Sequence, residues 1–159
     1  MNLAEELIYL AREHSPTIPH SDVVQFATYL EQRAQHSNWS DEPLAIAHFT
    51  SAWITGEKLT VEPRSIGFLA VRPAPVAVLT TTKLHIALFG TRRNHDDDGG
   101  STLKKIATFH RSDIANVALA RRDTWKIELS DGSTIELRMS LLAARSSTCG
   151  ARNLLSLLG

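Results

Sequence analysis

Cysteine is almost missing from this chain: Cys149 is the single one in 159 residues. No intrachain disulfide can form, and a zinc site built from paired cysteines is excluded. Long apolar runs are missing too. No stretch approaches the roughly 20 residues that span a bilayer. Residues 1–14 hold Glu5, Glu6 and Glu13 and no apolar block, the wrong composition for a secretory leader. The expected compartment is the cytoplasm. An excess of one charge is also lacking, with 17 basic and 17 acidic residues. No long cationic run occurs, so a nucleic-acid partner is not expected.

That balance conceals an asymmetry. Residues 1–56 carry two basic residues, Arg12 and Arg33, against seven acidic ones, while residues 57–159 carry fifteen against ten. The halves are thus −5 and +5, a split that favours attraction between the two segments or between copies of the chain.

Catalytic signatures are absent as well: there is no nucleophile elbow, phosphate-cradling glycine loop or HExxH pair. His48, His85 and His110 each sit where a structural role suffices. Cys149 falls in the first turn of a C-terminal helix with no partner base in view. No catalytic residue, cofactor or resident metal is expected. The stretch TRRNHDDDGGSTLKK (91–105) tests that last point, because Asn94, Asp96, Asp98 and Gly99 match the opening of a calcium loop. Such a loop needs a bidentate glutamate at its twelfth position. Counted from Asn94, that position is Lys105, a cation where the strongest anionic ligand belongs. The flanks also read as strands rather than helices, so the segment reads as a solvated hairpin loop.

Three helices are expected in residues 1–56. NLAEELIYLAREH puts Leu3, Leu7, Leu10 and Ala11 on one stripe, and the segment from Ser21 repeats the pattern through Val23, Ala27, Leu30 and Ala34. SDEPLAIAHFTSAWITG reads as the third, with Ser40 as cap, Pro43 in the first turn and Gly56 as stop. Its face would run through Leu44, His48 and Ala52, beside Phe49 and Trp53.

From residue 57 the period becomes two. Strands are expected at 65–71, 75–82, 83–90, 103–110, 113–120, 125–129 and 135–139. In the last pair Trp125, Ile127 and Leu129 and then Ile135, Leu137 and Met139 alternate with polar residues across Asp131-Gly132, which predicts a hairpin with a type I′ turn. SSTCGARNLLSLLG reads as a closing helix, capped by Ser146 or Ser147, with Ala151, Leu154, Leu155 and Leu158 on its buried face.

Seven strands followed by an amphipathic helix, through PVAVLTTTKLHIALFG, IATFHRSDIANVALA, WKIELSDGSTIELRM and ARNLLSLL, resemble bacterial PH-like domains of the GRAM and pleckstrin-homology group. Thr82 ending one strand, Lys83 opening the next, and Asp113-Ile114 carry the likeness. One departure is the closing helix, which lacks the tryptophan usual in eukaryotic relatives; Trp125 lies on a strand instead. The resemblance covers about 57–158. It implies an α+β chain in two parts: a helical segment at 1–56, then a seven-stranded antiparallel barrel at 57–159 capped by the C-terminal helix.

The resemblance further implies that the 71–76, 90–103 and 130–133 connections gather at an open end, where Arg72, Arg92, Arg93, Lys104 and Lys105 would meet an anionic lipid headgroup. Asp96, Asp97, Asp98 and Asp131 nearly cancel that field. The favoured expectation is therefore a non-enzymatic interaction module, binding a protein partner or its own copies, with a membrane surface as the alternative. Candidate contact residues are Arg121 and Arg122, in the turn before Trp125, together with Trp39 and Trp53.

Overall fold

The computed structural model describes residues 3–16, 18–37, 41–60, 64–66, 69–71, 74–91, 101–139 and 145–159. Two helices lead, α1 (Leu3–His14) and α2 (His20–Ser37), where the apolar stripes place them. Leu7 and Ala11 of α1 and Val23, Phe26, Ala27 and Leu30 of α2 are buried. Glu5 and Glu6 in the first turn of α1, and Arg12 and His14 in its last, suit the helix dipole.

The third expected helix does not form. Its residues make strands β1 (Pro43–His48) and β2 (Ser51–Ile54). The reason is burial on two sides: Ala45 and Ala47 face one core while Ile46 faces another. A strand covered on both faces is apolar without gaps, and periodicity cannot separate it from a buried helix. The apparent cap signal also has another use. Pro43 opens the strand, where a missing N–H is tolerated, and Asp41 fastens a neighbouring turn.

The remaining elements are β3 (Glu57–Lys58), β4 (Arg64–Ile66), β5 (Leu69–Val71), β6 (Val76–Thr80), β7 (Lys83–Thr91), β8 (Ser101–His110), β9 (Ile114–Arg121), β10 (Thr124–Leu129), β11 (Thr134–Arg138) and α3 (Arg145–Leu158). Within the strand expected over 65–71, β4 and β5 pair with each other antiparallel. The others form two antiparallel sheets, ordered β1-β6-β7-β8 and β3-β2-β11-β10-β9. This is an α+β fold, but not the closed seven-stranded barrel. The segment expected to be wholly helical contributes β1 to one sheet and β2 to the other, and no ladder joins β8 to β9.

Two corners connect the sheets. At the first, the Phe49 N–H donates to Pro75 O at 2.9 Å and the next N–H, of Thr50, donates to Arg138 O at 2.8 Å. The two residues between β1 and β2 thus bond one to the residue before β6 and the other to β11. At the second corner a 3-10 turn, Arg111–Asp113, separates β8 from β9.

Two cores result. Between the sheets lie Phe49, Leu79, Leu84, Ile86, Ile127, Ile135 and Leu137, closed by Ala151, Leu154 and Leu155 of α3. On the other face of the first sheet, Ile46, Val78, Ala87 and Phe89 receive α1 and α2. Each large apolar side chain so buried contributes about 1.5–3 kcal/mol. The layers are therefore helix, sheet, sheet, and among the described residues no element packs on the outer face of the second sheet.

The β10–β11 hairpin forms in the expected phase, with Trp125↔Leu137 and Ile127↔Ile135 in register, but its turn differs. Only Gly132 of the expected pair has positive φ, +89°. Gly132 N–H donates to Leu129 O at 3.0 Å and Leu129 N–H to Ser133 O at 2.9 Å. That is a three-residue loop of type I plus a bulge, fixed by the Asp131 carboxylate accepting from Ser133 N–H at 2.8 Å. The two-residue turn with two positive φ values lies instead between β2 and β3, at Thr55 (53°) and Gly56 (82°). A β-branched residue is strained there. Thr55→Asn is expected to raise stability by about 1 kcal/mol and the melting temperature by about 2–4 °C, measured by thermal unfolding.

Candidate functional site

The densest polar cluster lies at the β6–β7 turn. The Thr82 hydroxyl lies 2.5 and 2.6 Å from the two Asp41 carboxylate oxygens, and the hydroxyls of Thr80 and Thr81 donate to that carboxylate at 3.2 Å each. Lys83 Nζ lies 3.8 Å away. Burial opposes the charged form of Asp41. The Thr82 and Thr81 hydroxyls, the Lys83 ammonium and Thr80 outweigh it, and the pKa falls below its ordinary value. Arg111 extends the cluster, donating to Thr81 O at 3.3 Å and to Leu157 O at 2.9 Å. The carboxylate oxygens are thus engaged by their own neighbours: the cluster fastens β1, the β6–β7 turn and α3 together. Lys83–Asp41 is also an ion pair that crosses between the acidic and basic segments.

His85, on β7, is fully buried. Its Nδ1 lies 2.9 Å from Thr108 Oγ1 and the Phe26 ring meets it edge-on at 6.4 Å. Burial foremost, then the Lys83 charge, push its pKa down to about 4. A groove of about 600 Å³ between α1 and the start of α2 is lined by Ile8, Arg12, Pro16 and His20, among others. The Ser15 hydroxyl on its floor is already spent on Ile46 O at 2.8 Å.

The expected contact residues fall in different places. Arg72, Arg92, Arg93 and Trp39 lie outside the described residues, as does the calcium-like run 92–100. Among the described residues, no three metal-ligating side chains converge. Lys104 and Lys105 are both exposed, because the β7–β8 register shifts there: Leu88 pairs with Lys105 and Phe89 with Leu103. Lys104 is the extra residue of a bulge, which turns two consecutive lysines to water.

Trp53 lies on β2, opposite Glu136 on the outer face of the second sheet. The Arg138 guanidinium sits 5.3 Å from its ring centroid and Lys58 Nζ 5.8 Å. Arg138 also pairs with Asp123 at 3.5 Å. Trp53 is thereby linked across the sheet to the Arg121-Arg122 turn, where both arginines are exposed.

Sequence reasoning did not single out the strand leading into that turn. β9 is an edge of the second sheet, and among the described residues β10 is the strand it pairs with. From Ile114 to Ala120 it carries no charge, and Leu119 is 54% exposed. Edge strands are normally blunted by a lysine, a proline or a cover. Among the described residues β9 has none of these between its ends, although its ladder to β10 bulges at Ala115 and at Ala120. Its signal was visible as the uncharged run IANVALA, which reads as core.

No protein-family model matches this chain, and no curated protein matches its sequence.

Proposed function

We propose that this protein is a non-enzymatic interaction module that holds another polypeptide against its second sheet, at the β9 edge. One observation carries the reading: an eight-residue edge strand with an uncharged apolar stretch and an exposed Leu119. An extended segment added to such an edge gains main-chain hydrogen bonds and side-chain contacts together. The helices support this choice of surface. Leu7, Val23 and Leu30 of the helices are spent on the first sheet. Phe49 lies between the sheets. Cytoplasmic residence and a PH-like ancestry belong to the same proposal; the likeness rests on a C-terminal helix closing two antiparallel sheets. Among the described residues, no helix is long and apolar enough to cross a membrane.

The bulge at Lys104 supports a second reading, attachment to an anionic membrane. Two exposed lysines supply about 2 kcal/mol there, less than a stable attachment needs. The test is affinity capture with the full chain and with Leu119→Lys, which sets a charge on the edge without touching either core. Partners held by the former and lost by the latter support the module. Equal capture by both, or salt-sensitive sedimentation with phosphatidylserine vesicles and no polypeptide partner, removes it.

A further inference from the structure

We infer that the occupant of the β9 edge is a second copy of this chain, paired antiparallel β9 to β9 across a two-fold axis at Val117. The inference rests on the interaction reading above and names its partner.

The main-chain groups set the register. Leu129 is hydrogen-bonded to Ser133 in the hairpin turn, and Ile127 pairs with Ile135 two residues further along. Antiparallel ladders alternate between residues that bond to one neighbour and residues that bond to the other. Ile127 therefore bonds to β11, while Lys126 and Glu128 bond to β9, at Ala118 and Asn116. Val117 and Leu119 are left with N–H and C=O directed away from the sheet. A two-fold axis at Val117 sets Val117 against its own copy; Leu119 comes opposite Ala115, and since one bulge residue lies on each side of Val117, at Ala115 and at Ala120, the count to the two ends of the strand stays equal.

Charge selects the same arrangement. Asp113 lies just before β9 and Arg121 ends it, and both are exposed. Antiparallel self-pairing with Val117 at the axis brings Arg121 to Asp113 of the second copy, twice. Parallel pairing would set like charges side by side, a repulsion that suppresses that arrangement. Between the charged ends only small or apolar side chains and Asn116 meet. The product is one continuous sheet of ten strands made from two sheets of five, with the open edge removed from both copies.

Sedimentation velocity of the full chain over a concentration series tests this, alongside Arg121→Glu, Asp113→Arg and the double variant, each checked by circular dichroism for an intact fold. The expected result is a dimer whose dissociation constant rises at least tenfold in either single variant and returns in the double. Amide exchange at Val117 and Leu119 should slow as the dimer forms. A monomer at every concentration, or a dimer that ignores all three variants, overturns the inference. A monomer that still captures another polypeptide in a Leu119-dependent way overturns self-pairing and leaves the module standing. A monomer that captures nothing removes both.

Discussion

Gly150→Ala is expected to cost about 3 kcal/mol or more, and to lower the melting temperature by roughly 10 °C. Gly150 lies in α3, where the helix presses on the end of α1 and on β1. A Cβ there would overlap the Ser15 hydroxyl and stand 2.8 Å from Ile46 O and 2.9 Å from His14 O. The hydroxyl could rotate, though it would give up its bond to Ile46 O. The two carbonyls cannot yield without moving α1 or β1. The glycine is thus required by close approach, not by a left-handed backbone. Thermal unfolding followed by circular dichroism measures the loss. Removing the hydroxyl as well, in Ser15→Ala/Gly150→Ala, should recover only a minor part of it. Stability equal to the parent would mean that α3 does not seat where it is described.

The second large effect is acid sensitivity. The folded pKa of His85, about 4, lies below the ordinary 6.5. Between those values the unfolded chain binds a proton that the folded chain refuses. The contribution is full above pH 6.5, shrinks as the pH falls, and is gone below about 4. A shift of this size corresponds to about 3 kcal/mol. His48, whose pKa is also lowered by burial, acts in the same direction. Asp41, lowered from 3.8, contributes above that value and loses its contribution only in stronger acid. Urea unfolding at pH 7.5 and 4.5 should therefore show a clear fall for the parent. His85→Gln keeps a partner for Thr108 and does not titrate, so most of the fall should vanish. An unchanged fall in that variant would place its origin elsewhere.

The elements that face solvent on one side were legible. α1 and α2 carry stripes at helical spacing, and β10 and β11 alternate cleanly, because one face of each meets water and leaves polar residues in the pattern. The elements covered on both sides were not. In β1 the run Ala45-Ile46-Ala47 feeds two cores at once, so nothing in its spacing distinguishes strand from helix. Turn chemistry was ambiguous for a related reason. Asp131-Gly132 and Thr55-Gly56 both end in glycine, and the geometry each adopts follows from the register of the two strands it joins, Ile127↔Ile135 in one and Ile54↔Glu57 in the other. The contact surface was legible only in part. Arg121 and Arg122 were marked by charge, whereas Leu119 beside them resembles any core residue until the strand order puts β9 at an edge.

The two-residue corner at Phe49–Thr50 has a consequence for how the fold comes apart. With no slack between the N–H bonded beside β6 and the next bonded to β11, β1 and β2 are held together at the corner. Peeling β1 from β6 drags on β2 and its grip on β11. The two sheets are therefore expected to melt together, in a single thermal transition.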